Sequence, residues 1–205
     1  MRSRHRRARA LAQAFTSYEE DISDSKAQFA AVTLASATLH HCGSFGADAY
    51  DTLATKTTQY SARLLKKPDQ CRAVTRAAML FTSKGGGEGG GEGGGEGGGA
   101  DGKRVLECLQ RSLKLADACK VSGMHTPLFV EILDVYLYHY HAKCAAVLPS
   151  YISSLMQLVE QQLTDDAVAD DAKLAQARAH FGASKAYVAA KRLTDERFAE
   201  IEIAE

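Results

Sequence analysis

The residue pattern that comes closest to a known chemistry is Gly97–Lys103, which fits the GxxxxGK loop that cradles nucleotide phosphates. In such loops a Ser or Thr hydroxyl directly after the lysine binds Mg²⁺, but Arg104 stands there and no apolar strand leads in. The match lies at the end of a glycine tract, Gly85–Gly99, which meets several glycine patterns by accident. The sequence therefore predicts no nucleotide site and no other cofactor.

Histidine and cysteine pairs are the next candidates, because both side chains bind transition metals. His40, His41 and Cys42 are adjacent, and neighbours on a helix point about 100° apart, so they cannot converge on one ion. His141 and Cys144 share a helix face at i, i+3, but no further ligands accompany them. We predict no metal site.

Nucleophilic and acid–base catalysis have no residues to carry them. No serine occupies a nucleophile elbow, and no pair of carboxylates stands apart from the usual acids of helix surfaces. Tyr136 and Tyr140 share a helix face with Leu133 and Leu137, which favours packing in a core over a ligand cage. The sequence predicts no catalytic residues and a protein that is not an enzyme.

The elements that would position any site are helical. Apolar residues make up 45% and charged residues 24%, which suffices for a core. Apolar residues recur at i, i+3 and i+4 along most of the chain, from Phe29 to Val188, and predict helix pairs joined by short turns. This pattern is typical of an all-α bundle or α-solenoid. The last helix is expected from about Asp165 to Lys191, and a short extended segment over Phe198–Ile203.

The organisation follows from these patterns. We predict a basic N-terminal extension over residues 1–10, helical repeats over 11–84, a Gly-rich flexible loop insertion over 85–102, further repeats over 103–191 and a C-terminal tail over 192–205. The extension is expected to precede the first helix, and its five arginines are Arg2, Arg4, Arg6, Arg7 and Arg9.

Charge and cysteine content limit the classes of partner and compartment. The 25 basic and 25 acidic residues balance, so no nucleic acid is expected and no anionic membrane is attracted by the chain as a whole. Five cysteines, an odd number without a CxxC pair, predict free buried thiols in a reducing compartment, which favours the cytoplasm.

Two local charge groups could recognise another protein. Glu19, Glu20 and Asp21 form an acidic turn, and a basic turn precedes Pro68. The members of the basic turn are Arg63, Lys66 and Lys67. Both turns could be solvated helix ends. They could equally mediate self-association, because a surface that carries both signs can pair with itself about a two-fold axis.

Three stretches carry a resemblance to a known family: Tyr18–Gln28, Leu64–Val74 and Gly102–Ala116 followed by Leu128–Leu133. In this order and spacing they resemble the C-terminal portion of the retromer large subunit, the vacuolar protein sorting-associated protein 35 family. The resemblance runs from about Leu11 to Lys191.

The resemblance implies an α-solenoid of HEAT-like antiparallel helix pairs, acting as a non-catalytic scaffold segment of the retromer coat for endosome-to-Golgi or plasma-membrane sorting. It implies binding of the metallophosphoesterase-like small subunit and a possible homodimer through the six charged residues of the two turns. It also implies a cytoplasmic protein, peripheral on the cytosolic face of endosomes, whose membrane association is indirect through the coat. Full-length members are several times longer.

A function of another class stays open beside this one. A standalone helical binding module, for example one that binds RNA through the Arg-rich N-terminus, fits the same helical pattern.

Overall fold

The computed structural model of the chain describes residues 2–42, 45–82, 101–165 and 172–203. Within these ranges the fold is all-α, with eight α-helices, three short 3₁₀ turns and no strand. The helices are α1 Arg2–Asp21, α2 Ser25–His41, α3 Ala47–Ser61, α4 Lys67–Ala77, α5 Gly102–Asp117, α6 His125–His141, α7 Pro149–Asp165 and α8 Ala172–Arg192. The glycine tract predicted as a flexible loop, Gly85–Gly99, lies outside the described residues.

The helices pack in two layers, as in a solenoid of antiparallel helix pairs. Helices α2, α4, α6 and α8 contact one another in succession and form one layer. Helices α1, α3, α5 and α7 lie against that layer, each in contact with its neighbours along the chain. The predicted all-α solenoid is therefore confirmed, and each helix pair is buried mainly by the pairs on either side of it.

Helix α6 is the most buried element. It contacts α4, α5, α7 and α8, and Leu128, Ile132 and Leu133 are fully buried along it. Tyr136 and Tyr140 are also buried, as predicted for core residues. A helix that is apolar around most of its circumference must be surrounded, so α6 lies at the centre of the second half of the array.

Capping residues begin helices where the sequence changes. The Asp24 carboxylate accepts a hydrogen bond from the Ala27 N–H at 2.8 Å and caps α2. Asp101 caps α5 in the same way through the Arg104 N–H at 3.1 Å. Pro68 lies in the first turn of α4, where its missing N–H removes no helix bond.

Two expected boundaries differ from the structure at the N-terminus and before the last helix. Helix α1 begins at Arg2, so the segment expected to precede the first helix belongs to it, because arginine and alanine both favour helix. Asp165, the expected start of the last helix, belongs to α7, and the described residues of α8 are Ala172–Arg192.

The C-terminal segment is not extended. Residues Glu196–Glu200 form a 3₁₀ turn, and the side chains of Phe198 and Ile201 are fully buried. The Tyr140 hydroxyl donates to the Arg197 carbonyl at 2.6 Å, which ties the turn to α6. The free energy gained by fully burying two apolar side chains favours packing onto the core over the extended conformation that the alternating pattern predicts. The segment therefore closes onto the core.

Gly102 allows a close approach between α5 and the turn before α7. A Cβ atom at this position would lie 2.8 Å from the Ala146 Cβ and 3.6 Å from the Cys144 Sγ. A Cβ at Gly182, in the middle of α8, would meet no atom within 4 Å. A side chain at position 102 would therefore clash with Ala146, whereas position 182 has room for one.

We expect Gly102→Ala to destabilise the protein by about 1–3 kcal/mol, because the added methyl forces α5 away from Ala146. Gly182→Ala should stabilise it by about 0.5–1 kcal/mol, because alanine has the higher helix propensity and space is open. Urea unfolding of both variants measures the difference. Equal effects of the two substitutions would contradict the predicted contact.

Candidate self-association edge

The structure brings the two charged turns together. Glu19, Glu20 and Asp21 end α1, and Arg63 and the lysines after it connect α3 to α4. Because α1 and α3 contact each other, the acidic and basic turns lie at the same edge of the array. We call the set of Glu19, Glu20, Asp21, Arg63, Lys66 and Lys67 the charged edge.

Tyr60, in the last turn of α3, joins the acidic turn to the core. Its hydroxyl donates a hydrogen bond to Glu19 Oε1 at 2.5 Å. Its ring packs edge-on against Phe15, with 5.3 Å between ring centroids. The Tyr18 ring lies tilted to it, with 4.7 Å between centroids. The Tyr60 carbonyl accepts from the Arg63 N–H at 3.0 Å, so Tyr60 also contacts the start of the basic turn.

The basic turn is held by Gln70 of α4. The Gln70 side-chain amide donates to the Ala62 carbonyl, and its Oε1 accepts from Lys67 Nζ at 3.2 Å. Its backbone N–H donates to the Lys66 carbonyl at 2.8 Å. The backbone of the turn is therefore fixed from inside while its charges face outward.

The charges of the edge are not neutralised within the described part of the chain. All six side chains are exposed, and none of them forms an ion pair with another described residue. The two groups are therefore exposed and unpaired within the described residues, although they lie near each other.

Burial raises the pKa of Tyr60 to about 12, and the hydrogen bond to Glu19 and the negative charge of that carboxylate act in the same direction. The positive charge of Arg63 opposes them. The phenol is therefore protonated at neutral pH and acts as the donor to Glu19.

The described part of the chain also has two apolar grooves between its helices. One, of about 480 Å³, lies between α5, α6 and α7 and is lined by Leu113, Tyr151 and Leu158 among others. The other, of about 450 Å³, lies between α1, α2 and α3 beside the charged edge, with Phe15 and Leu34 in its wall. Leu34 is 68% exposed.

The residues considered for nucleotide and metal chemistry have other roles. Arg104 pairs with Asp51 and Asp101, both at 2.6 Å, and its guanidinium lies 4.4 Å from the centre of the Phe81 ring. In the described part of the chain, no three His, Cys, Asp or Glu side chains are grouped as metal ligands.

The five cysteines are free thiols, as predicted, and all but Cys42 are buried. Burial raises the pKa of Cys71 to about 12 and that of Cys108 to about 11, so neither is a reactive thiolate at neutral pH. No described helix combines the length and apolar character needed to cross a bilayer.

Comparison with known proteins identifies the array. The family model of vacuolar protein sorting-associated protein 35 matches residues 7–162, which include every helix from α2 to α6 and the whole charged edge. The chain belongs to the vacuolar protein sorting-associated protein 35 family.

Relatives in distant organisms agree with this assignment. Vacuolar protein sorting-associated protein 35 of Schizosaccharomyces pombe is 40% identical over 162 residues, which cover 79% of this chain and 19% of the relative. Protein 35B of Arabidopsis thaliana is 42% identical over 161 residues, 75% of this chain and 19% of the relative. The chain thus spans about a fifth of the length of these curated relatives. The resemblance stated from the sequence is confirmed over residues 7–162.

Sequence reasoning found the charges of this member of the vacuolar protein sorting-associated protein 35 family but missed the residue that holds one of them. Tyr60 lies on the buried face of α3, and its partner Glu19 is 41 positions away in sequence. The available signal was a tyrosine near a helix end, because a buried tyrosine hydroxyl needs a hydrogen-bond partner.

His139 is a buried polar residue of the family core without a charge partner. It is fully buried, its Nδ1 lies 3.3 Å from Thr82 Oγ1, and its Nε2 has no hydrogen-bond partner among the described residues. Burial lowers its pKa to about 4. The ring is therefore neutral at neutral pH, and protonating it opposes folding.

We expect the free energy of unfolding to fall as the pH drops from about 6.5, the pKa of an unfolded histidine, to about 4. Between these pH values the unfolded chain binds a proton at His139 that the folded chain excludes. The part of the unfolding free energy that this ring contributes above about pH 6.5 is therefore lost as the pH falls. Compared with the wild type, His139→Leu should flatten this part of the pH profile, measured by urea unfolding. The same substitution at exposed His41 is the control, and an unchanged slope in His139→Leu would contradict the assignment.

Proposed function

We propose that this chain is a non-catalytic scaffold segment of the retromer coat, which sorts cargo from endosomes to the Golgi or plasma membrane. Membership of the vacuolar protein sorting-associated protein 35 family, over residues 7–162, is the observation that carries the proposal. A layered array of helices supports it, since a solenoid presents long surfaces to other proteins. On this proposal the chain acts in the cytoplasm on the endosomal surface and reaches the membrane only through the coat.

The first proposed partner is the metallophosphoesterase-like small subunit of retromer. A folded partner of that kind needs a surface on which both proteins bury about 800 Å² each. The apolar groove between α5, α6 and α7 shows that the array has concave apolar surface outside the charged edge.

We expect the immobilised small subunit to capture the 205-residue chain, because family membership extends over most of the array. An unrelated enzyme of the same metallophosphoesterase fold serves as the control bait. Circular dichroism before the pull-down establishes that the chain is helical. A helical sample that the small subunit fails to capture would remove this part of the proposal.

The second proposed partner is another copy of the chain. The charged edge supports this because its charges lie at unfavourable helix ends: the acids stand at the C-terminal end of α1 and Lys66 and Lys67 at the N-terminus of α4. Each such placement opposes the helix dipole by about 0.3–1 kcal/mol. A sequence that keeps charges against local helix stability is typical of an interaction surface.

Self-association should be weak and sensitive to salt, because an exposed ion pair contributes only about 0–1 kcal/mol. We expect Lys66→Glu with Lys67→Glu to weaken the dimer, and added Glu19→Lys and Glu20→Lys to restore part of it. Sedimentation velocity from about 50 to 500 mM salt measures these effects, since screening shortens the reach of exposed charges.

The matched control is Lys56→Glu with Lys103→Glu, which changes the net charge equally at exposed lysines outside the edge. Self-association of this control should resemble that of the wild type more closely than that of the Lys66 and Lys67 variant. A wild type that stays monomeric at high concentration and low salt would refute self-association, as would a charge swap without any recovery.

A further inference from the structure

We infer that Tyr60 is a positioning residue for self-association, which fixes the Glu19 carboxylate in the orientation that meets the basic turn of a second copy. This inference rests on the proposed self-association and adds a determinant that lies beneath the charged edge. It follows from three features of the structure: the hydrogen bond, the support of the ring, and the state of the carboxylate.

The hydrogen bond joins a buried donor to an exposed acceptor. Tyr60 is 6% exposed, whereas Glu19 is an exposed residue in the last turn of α1. The hydroxyl and Glu19 Oε1 lie 2.5 Å apart, at the short end of the range for hydrogen bonds to a charged acceptor. An exposed glutamate otherwise samples several rotamers, so this bond restricts a side chain that would be mobile.

The ring that carries the hydroxyl is itself held by the core. Phe15 is buried and lies edge-on to Tyr60 at 5.3 Å, and Tyr18 lies at 4.7 Å on the same helix as Glu19. Both neighbours belong to α1. The Tyr60 ring is therefore held in place by the same helix that carries Glu19 in its last turn. The direction of the hydroxyl is therefore set by packing and not by the exposed glutamate.

The bound carboxylate still has capacity for a partner. A carboxylate has about four acceptor positions, and the Tyr60 hydroxyl uses one of them. No described lysine or arginine pairs with Glu19. Its negative charge can thus meet an ammonium or guanidinium group of another copy while Tyr60 holds it in place.

Ordering Glu19 before association lowers the entropy that association must remove. We expect Tyr60→Phe to raise the dissociation constant of the dimer about three- to tenfold for each Glu19 contact, because association must then immobilise a glutamate that Tyr60 no longer orders. The substitution keeps the ring and removes only the hydroxyl. Sedimentation equilibrium of the full chain at low salt measures the constant, and thermal unfolding confirms that the variant is folded.

Tyr50→Phe is the matched control. Tyr50 lies in the first turn of the same helix, α3, and its hydroxyl donates to the Leu80 carbonyl at 2.8 Å, away from the charged edge. Loss of that hydroxyl should leave the dissociation constant unchanged. Equal weakening by both substitutions would assign the effect to general loosening of α3 and overturn the inference.

A second background separates positioning from packing. In a chain that carries Glu19→Ala, Tyr60→Phe should have no further effect on self-association, because the carboxylate it positions is gone. A purely structural role of the hydroxyl would weaken association equally in both backgrounds and would overturn the inference. A tighter dimer of Tyr60→Phe would overturn it too, because the hydroxyl would then compete with the partner's cation.

The same data distinguish this inference from the proposal beneath it. If charge reversal at Lys66 and Lys67 weakens the dimer but Tyr60→Phe does not, only the role of Tyr60 is refuted and self-association stands. A wild type that is monomeric at every salt concentration refutes self-association, and the inference with it.

Discussion

The burial of α6 around most of its circumference is the constraint on which the second half of the molecule depends. Its apolar residues lie around most of the helix, so no single neighbour can cover them. The chain before α6 supplies α4 and α5, and the chain after it supplies α7 and α8. The sequence order of these helices and the two-layer packing follow from the need to enclose this one element.

Polar contacts fix the position of α6 within that enclosure. Arg72 of α4 forms a bidentate pair with Glu131, with a shortest distance of 2.7 Å. On the other side, Asp134 accepts from the Ser184 hydroxyl of α8 at 2.8 Å and contacts His180. Apolar burial supplies most of the driving force, whereas such directional bonds select one register between neighbouring helices. The C-terminal turn adds Phe198 to the same core.

The charged edge depends on the antiparallel order of the first three helices. The chain reverses direction between α1 and α2 and again between α2 and α3. Helix α3 therefore ends beside the end of α1, and the acidic and basic turns become neighbours. Each turn carries charges at the helix end where the dipole opposes them. Two contacts support the charged edge from beneath: Tyr60 orders the Glu19 side chain, and Gln70 holds the backbone of the basic turn at the Ala62 carbonyl. The fold thus accommodates a surface that helix stability alone would not select.

The helical class, most helix positions and the family could be predicted from the sequence, as could the presence of six charged residues in two turns. These depend on local periodicity, capping residues such as Asp24, and matched stretches, all of which can be read along the chain. Three features emerge only in the folded structure: α1 begins at Arg2, Phe198 packs against α6, and Tyr60 holds Glu19. The start of α1 is missed from the sequence because the arginine-rich segment is expected to precede the first helix, although arginine favours helix. The other two features are contacts between residues more than 40 positions apart, and their energies arise from burial and hydrogen bonding that exist only once the layers have assembled.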